Sequence, residues 1–407
     1  MPDEEKHDPR QPLPYHFAIR DYLKNEESQI WEWYASNRVR AEQNEAIRFD
    51  LLKSTYRIDR DAQPALYDMA DEVAKSLGME VPVTLYQAQN PQGLNASLAY
   101  IPDEAHVVLH GPIASRLTEP ELRALLAHEL GHLLLHSRWD GDLLIAEQVL
   151  AAMTHDRDAD TPHFASARLF GLYTEVFCDR IALDVSGSPL EVISMLVKIA
   201  TDLDEVNPES YLKQAAEILG KGPMKTAGLS HPEAYIRAHV LQLWHDQAGE
   251  ANARIAELIE GPPALDELDL TAQVRVMDVT RRLIDAMLAP KWLQTDVVLA
   301  HARLFFEEYA PADHDVAIES LREEIQQSDQ PLRDYYCYVL LDFASADRDL
   351  EEAPLAQAIG VADAVGLLEG FLSIAAKELK LRKKQVEKIS GDRERIVAAA
   401  AKLEAAS

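Results

Sequence analysis

Two histidines and a glutamate stand close together in residues 126–135, inside an apolar run typical of a helix. His128 and His132 are four residues apart, so on a helix both imidazoles project from one face and can reach one metal ion. Glu129 projects beside that ion, where its carboxylate can hold a metal-bound water and accept a proton from it. The pattern H-E-x-x-H therefore predicts a zinc hydrolase site with His128 and His132 as metal ligands.

A surface helix that is merely rich in His and Glu is the alternative interpretation. Leucines cover most sides of this helix, which predicts that it is buried: Leu122, Leu125, Leu126, Leu130, Leu133 and Leu134. A charged side chain without a partner is costly in an apolar setting. A metal ion is the simplest partner for the three polar side chains, so the sequence favours the metal site.

The third ligand must come from outside this helix. Catalytic zinc usually has three protein ligands and one open position for water. The metzincin pattern is excluded, because Leu135 and Arg138 stand where it requires a glycine and a third histidine. His136 continues the spacing of four, but three ligands from consecutive turns of one straight helix cannot surround one ion. We expect His136 either to support a ligand or to be exposed.

A second apolar segment, 170–183, contains two carboxylates four residues apart. Glu175 and Asp179 would share one helix face, with Glu175 able to ligate the metal and Asp179 able to accept the free N–H of a ligand histidine. A carboxylate pair on a solvated face is the alternative. The large apolar neighbours argue against it: Phe170, Val176, Phe177, Ile181 and Leu183.

The order of these motifs resembles a known family. An H-E-x-x-H helix followed about forty residues later by E-x-x-x-D is the gluzincin pattern. Residues 93–100 (GLNASLAY) and the run 105–125 that follows resemble the edge strand, next strand and zinc helix of HtpX-like and CaaX-prenyl-endopeptidase-like metallopeptidases. Residues 229–238 (LSHPEAYIRA) are similar to the S-H-P signature of those proteins. The resemblance covers roughly residues 61–245.

The resemblance implies a role for each matched residue of the metal centre. His128, His132 and Glu175 would hold one zinc ion. Glu129 would be the general base, and Asp179 would orient a ligand histidine.

Two further roles follow from the same resemblance. His231 would stabilise the oxyanion of the tetrahedral intermediate, although before Pro232 it also fits an ordinary helix start. An exposed strand edge offers unpaired N–H and C=O groups to an extended peptide. The edge strand that pairs with substrate would comprise Asn95, Ala96, Ser97, Leu98 and Ala99.

Composition limits the partners and the compartment. A net charge of −29 argues against binding to nucleic acid or to anionic membranes. Members of the resembled family are typically membrane-embedded, but no apolar run of about 18 residues is present, so we expect no integral membrane segment. The two cysteines, Cys178 and Cys337, suggest a reduced compartment without a disulfide. Because residues 1–10 lack a signal peptide's apolar core, we expect a cytoplasmic protein acting on soluble polypeptides.

The predicted fold class is α+β, with a mainly helical metallopeptidase domain, a small sheet and an all-α C-terminal domain. The expected divisions are a flexible lead and helical arm over 1–60, the peptidase domain over 61–245, a linker over 246–270 and a helical domain over 271–407. Residues 270–390 weakly resemble TerB-like helical domains. This domain is a candidate for a protein partner or an autoinhibitory contact.

A polar loop lies between the two metal helices. Asp156, Asp158 and Asp160 suggest a calcium loop, but Thr161 and Ala167 stand where such a loop needs glycine and glutamate. We therefore expect a mobile loop over the cleft.

Taken together, the residues predict a zinc-dependent endopeptidase. A catalytically silent or latent zinc-binding scaffold, recruiting partners through its helical domain, is the alternative function. It would keep the peptidase fold and the metal ligands, so only an assay for cleavage can separate the two.

Overall fold

A computed structural model describes residues 8–89, 93–222, 224–247, 251–312 and 316–404. The chain divides into two compact units, Met1–Gly261 and Pro262–Ser407. The range 246–270, expected to be a linker, contains the helix Ala251–Ile259, whose Ile255 and Ile259 are buried. Residues 251–259 therefore belong to the first unit, because the apolar side chains on one face of this helix are buried.

The first unit is mainly helical. Its helices are α1 (Pro14–Glu26), α2 (Ser28–Ala35), α3 (Asn37–Ser54), α4 (Pro64–Ser76), α5 (Ile113–Arg116), α6 (Glu119–Ser137), α7 (Asp142–His155), α8 (Thr161–Ser186), α9 (Pro189–Thr201), α10 (Pro208–Leu219), α11 (Ala234–Gln247) and α12 (Ala251–Ile259). A small sheet completes it, so the expected mixture of many helices with few strands is confirmed.

The sheet has four strands: β1 (Thr55–Arg57), β2 (Val83–Ala88), β3 (Asn95–Ile101) and β4 (Glu104–His110). Their order is β1-β2-β4-β3, with β2 and β4 parallel and the other pairs antiparallel. β3 pairs with β4 from Asn95 opposite His110 to Ile101 opposite Glu104. The segment predicted as an edge strand is therefore an edge strand, since among the described residues β3 has a strand neighbour on one side only.

The helix α6 carries the H-E-x-x-H motif and begins at a capping box. The Thr118 side chain and the Glu121 side chain each accept from the other's backbone N–H. Glu121 is also buried against α9, where it accepts hydrogen bonds from Ser194 Oγ (2.5 Å) and Lys198 Nζ (2.8 Å). The start of α6 is thus fixed by its own cap and by an ion pair to a neighbouring helix.

Helices α6 and α8 pack closely at one glycine. A Cβ atom on Gly131 would lie 3.2 Å from Cys178 Cα and 3.3 Å from its Sγ. Any larger residue would make an unusually tight contact here, and Gly131 occupies the x position before His132 in the motif. The close approach brings the two predicted metal helices side by side.

The described residues before α1 lie in the range 1–60, where a flexible lead and a helical arm were expected. Leu13 is 1% exposed. Arg10 forms an ion pair with Asp184 (3.3 Å) and donates to the carbonyl of Ser76. Residues 8–13 therefore pack against the rest of the first unit, because Leu13 is buried and Arg10 binds Asp184 and Ser76 there. Residues 1–7 lie outside the described residues.

The second unit consists of helices in the part of it that is described: α13 (Leu270–Met287), α14 (Asp296–Phe305), α15 (Ile318–Gln327), α16 (Gln330–Ser345), α17 (Ala353–Ala364), α18 (Leu368–Glu378) and α19 (Lys383–Glu404). One apolar core holds them together, with Tyr336, Phe343 and Phe371 nearly or fully buried. The likeness to TerB domains stays a prediction.

Two further observations bear on the sequence analysis. Cys178 and Cys337 are both free and buried, as expected from the absence of a disulfide. Among the described residues, no helix combines the length and the apolar character needed to cross a membrane.

Candidate metal centre

The three predicted ligands meet where α6 lies against α8. His128 Nε2 is 3.4 Å from Glu175 Oε2, and His132 Nε2 is 3.6 Å from Glu175 Oε1. Tetrahedral zinc with ligand bonds of about 2.0–2.1 Å holds neighbouring ligand atoms about 3.3–3.4 Å apart. The distance from each histidine nitrogen to the nearer Glu175 oxygen is therefore close to the separation of neighbouring ligands on zinc.

The burial of Glu175 tests whether a metal fits. Its residue is 7% exposed, and Oε2 lies 3.4–3.5 Å from nitrogens of His128, His231 and Arg237 without a hydrogen bond of good geometry to any described residue. A buried carboxylate oxygen in this state is costly unless a cation or donor satisfies it. Nitrogen and oxygen donors of this kind suit zinc, so the residues present fit the ion.

Asp179 sets the orientation of His128. Asp179 Oδ1 lies 3.1 Å from His128 Nδ1. Since an ionised carboxylate only accepts, Nδ1 carries a hydrogen, and Nε2 is the ring nitrogen that faces Glu175. Arg237 donates to the same carboxylate from Nε (2.7 Å) and Nη2 (2.6 Å). Burial raises the pKa of Asp179, but Arg237 and His128 outweigh it and lower that pKa overall.

The buried environment shifts the four titratable groups of the centre in different directions. Burial lowers the pKa of His132 to about 4 and raises that of Glu129 to about 7. Burial also acts to lower the pKa of His128, but hydrogen bonds to Asp179 and Glu175 prevail and raise it to about 10. The pKa of Glu175 is lowered by His128 and Arg237 in spite of burial. A glutamate with a pKa near neutrality is suited to general base catalysis.

His231 reaches the centre from the segment before α11. Its Nε2 lies 3.4 Å from Glu175 Oε2, and its Nδ1 is 2.9 Å from Ser230 Oγ. The side chain is 53% exposed, so it borders the solvent side of the buried cluster. The structure thus brings His231 to the predicted metal ligands across a long stretch of sequence.

A cleft of about 740 Å³ opens onto these residues. His128, Glu129, His132, Glu175 and His231 all line it. The loop 156–160, expected to lie over the cleft, contributes no lining residue. Asp160 instead accepts from Thr161 N and caps α8.

The edge strand β3 lines the same cleft. Asn95, Ala96, Ser97 and Leu98 contribute to the lining, whereas Ala99 does not. Ala99 packs against a small cluster of Leu51, Tyr86 and Val108. The backbone of Ala99 continues the strand, so pairing of Asn95–Ala99 with substrate stays a prediction.

The comparisons with known proteins bear on the segment that contains α6. Residues 61–155 match the model of Peptidase family M48. Plastoglobule-localized metallopeptidase 48, chloroplastic, of Arabidopsis thaliana is 31% identical over 198 residues, which are 44% of this chain and 56% of the relative. The chain thus spans about half the length of that relative. No solved structure matches the chain significantly.

These matches show that part of the chain, residues 61–155, is similar to a peptidase family. The M48 segment covers α4, the strands β2 to β4, α6 and α7. It ends before α8, so the roles of Glu175 and Asp179 rest on the geometry described above. The narrower likeness to HtpX-like and CaaX-processing enzymes stays a prediction.

Cys178 is a second candidate for the third ligand beside the M48 motif. Ligand atoms of His128, His132 and Cys178 lie within 4.8 Å of one another. However, Cys178 is 0% exposed, packs against Gly131 and does not line the cleft. A hydrolytic metal needs an open position for water, which must face the cleft. Glu175 does face it, so we favour Glu175.

His136 is buried rather than exposed. It is 6% exposed and lies 3.1 Å through Nε2 from Glu147 Oε2 on α7. No contact joins it to a predicted ligand by hydrogen bond or ion pair among the described residues. The sequence predicted that His136 would support a ligand or be exposed, whereas the structure buries it against Glu147.

Arg237 is the residue of the centre to which the sequence analysis gave no role. Besides binding Asp179, its Nη2 lies 3.5 Å from Glu175 Oε2. Arg237 lies in the stretch 229–238, which resembles the S-H-P signature, so the sequence did contain a pointer to this residue. Its contacts with two carboxylates of α8 depend on how α11 packs against α8, and the sequence does not show this packing.

Proposed function

We propose that this chain is a zinc-dependent endopeptidase that hydrolyses peptide bonds of polypeptides. The observation that carries the proposal is the position of the Glu175 carboxylate, with one oxygen 3.4 Å from His128 Nε2 and the other 3.6 Å from His132 Nε2. A peptidase-family match over the H-E-x-x-H segment supports the reaction class.

His128, His132 and Glu175 would hold zinc, which when bound supplies a Lewis acid that polarises a carbonyl and lowers the pKa of water. Glu129 lies on the cleft beside these ligands and accepts a proton from the attacking water. The same carboxyl group then donates that proton to the departing amine. Burial around Glu129 raises its pKa to about 7, so it can serve as base and then as acid near neutral pH.

Two elements position the substrate in this proposal. The backbone of β3, from Asn95 to Ala99, pairs with an extended peptide, because its outer edge has no strand neighbour. His231 donates a hydrogen bond to the oxyanion that forms during attack. Removal of a comparable donor from another enzyme raises the activation free energy by about 2.7–4 kcal/mol.

The test uses the full chain loaded with zinc and an unfolded casein substrate. Glu129→Gln is expected to keep the metal and lose cleavage, since the amide cannot accept the proton. Glu119→Gln on the same helix is the matched control, because Glu119 is exposed and lies in the first turn of α6.

Equal cleavage by Glu129→Gln and the unmodified chain would contradict the mechanism. Zinc binding without any cleavage, including after removal of residues 262–407, would instead favour the alternative of a zinc-bearing scaffold. That truncation follows the division between the two compact units.

A further inference from the structure

Beyond the metal ligands, the cleft continues to an acidic end. Glu147 of α7 lines it together with His136, Tyr100 and Leu144. The carboxylates of Glu129 and Glu175 belong to the metal centre, so Glu147 is the remaining carboxylate in the lining. It has no part in the proposed reaction.

Glu147 is an accessible and ionised group. Its side chain is 46% exposed, and among the described residues His136 is its ion-pair partner. Burial acts to raise the pKa of Glu147, but the neighbouring His136, His132 and His16 lower it overall. A single contact to Oε2 leaves Oε1 available to a further donor, since a carboxylate accepts about four hydrogen bonds.

His136 is the second observation at this end of the cleft. It is 6% exposed, and neither ring nitrogen has a hydrogen-bond partner of good geometry, although Nε2 lies 3.1 Å from Glu147 Oε2. Buried polar nitrogens are usually satisfied. A polar group bound at this end of the cleft could therefore supply a hydrogen-bond partner that His136 lacks.

The cavity also extends past this pair. Tyr100 and Leu144 line a second space of about 230 Å³, whose walls include Asp103 and Asp140. Neither aspartate has an ion-pair partner within the described ranges. The walls that this space shares with the cleft thus combine apolar side chains with nearby carboxylates. Lysine and arginine have the complementary character, an apolar stem with a cationic tip.

We propose that Glu147, with His136 behind it, forms a subsite for a lysine or arginine side chain of the substrate. The inference rests on the proposed peptidase function and names a specificity of the same cleft. The cationic group would bind Glu147 Oε1, while its alkyl stem would pack against Tyr100 and Leu144. Asp103 and Asp140 would favour the longer arginine through the adjoining space.

Cleavage-site mapping tests the subsite directly. Zinc-loaded chain is incubated with a mixture of denatured proteins, and the residues around each cut are read by mass spectrometry. We expect lysine and arginine to be enriched at one position near the scissile bond. Glu147→Gln should reduce that enrichment about twofold to fivefold while leaving cleavage at sites without a basic residue nearly unchanged. Glu147→Lys should shift the same position to Asp and Glu.

Asp158→Asn is the control, because Asp158 is an exposed carboxylate of the nearby loop that does not line the cleft. Its cleavage pattern should equal that of the unmodified chain. An enrichment that persists unchanged in Glu147→Gln, or no basic preference at any position, would overturn the subsite.

A binding measurement separates this inference from the proposed function. In the zinc-loaded Glu129→Gln background, fluorescent peptides differing only by Lys or Gln at the scanned position are compared by anisotropy. Tighter binding of the Lys peptide that disappears in the Glu129→Gln, Glu147→Gln double variant supports the subsite, even if the unmodified chain cleaves nothing. Equal binding of both peptides to Glu129→Gln contradicts it.

Discussion

Arg237 holds Asp179 through two hydrogen bonds, of 2.7 and 2.6 Å, while the same carboxylate accepts from His128 Nδ1 at 3.1 Å. A line of contacts thus runs from α11 through α8 to the first histidine of the H-E-x-x-H motif. Asp179 is 1% exposed and Arg237 is 9% exposed, so neither charge can be left alone at low cost. This relationship makes α11 a part of the metal centre.

Replacing Arg237 by Leu is expected to leave the Asp179 charge buried without its main partner. The free energy of unfolding should fall by about 3–5 kcal/mol, and the zinc affinity should fall with it, because His128 loses its fixed acceptor. Chemical denaturation and zinc titration against a chelator measure both effects. Arg237→Lys keeps the charge but cannot form the paired hydrogen bonds of a guanidinium. Its stability and zinc affinity should therefore lie between those of the unmodified chain and those of Arg237→Leu. Unchanged zinc affinity in Arg237→Leu would contradict a role of this residue in the centre.

Metal retention should rank the predicted ligands. After dialysis against a chelator, Glu175→Ala should retain the least zinc, and Asp179→Ala should lose about 10–100-fold in affinity. His136→Ala should retain zinc, since its contact is to Glu147. Cys178→Ala should also retain zinc if the third ligand is Glu175. Full retention by Glu175→Ala with loss in Cys178→Ala would assign the third position to the cysteine.

The close approach of α6 and α8 predicts a large effect of one methyl group. Gly131→Ala would place a Cβ 3.2 Å from the backbone of Cys178 and should destabilise the chain by about 1–3 kcal/mol, with weaker zinc binding. Gly171→Ala on α8 is the matched control, because no atom lies within 4 Å of its added Cβ. The control should be neutral or slightly stabilising, as alanine favours helix. Thermal unfolding of both variants measures this difference. Equal melting temperatures would show that α6 and α8 can accommodate the added methyl group.

The ion pair between Glu121 and Lys198 predicts a pH-dependent contribution to stability. Burial raises the pKa of Glu121, but hydrogen bonds from Lys198 and Ser194 outweigh it and lower the pKa below its ordinary value of 4.5. A carboxyl whose folded pKa is lowered stabilises the fold above its unfolded pKa, and this contribution is lost as the pH falls through the folded pKa. Glu121→Gln should therefore cost about 3 kcal/mol at pH 7 and progressively less below pH 4.5.

Urea unfolding of Glu121→Gln and the unmodified chain between pH 3 and pH 7 measures this difference. Glu119→Gln serves as the control, since its exposed carboxylate should change stability by no more than about 0.5 kcal/mol at any pH. A cost that stays constant over the whole range would show that the lost interaction is not that of the ionised carboxyl.

Local sequence determined much of the helix α6 and its motif. Thr118 and Glu121 form the capping box that starts it, and the spacing of His128 and His132 places both imidazoles on one face regardless of the rest of the fold. The helix α4 likewise begins at Pro64, which suits a first turn, and ends just before Gly78, which has a positive φ of 70°. Signals of this kind depend on neighbours within one or two turns, so one sequence is enough to read them.

Tertiary structure decided which distant groups meet. The side of α8 that faces α6 depends on Gly131 and Cys178 packing together, and this packing makes both Glu175 and Cys178 candidates near the two histidines. The pairing of His136 with Glu147 and of Arg237 with Asp179 joins different helices, and no local pattern encodes such a contact. Periodicity fixes the faces of each helix, whereas the choice of which faces touch follows from the packing of the whole unit.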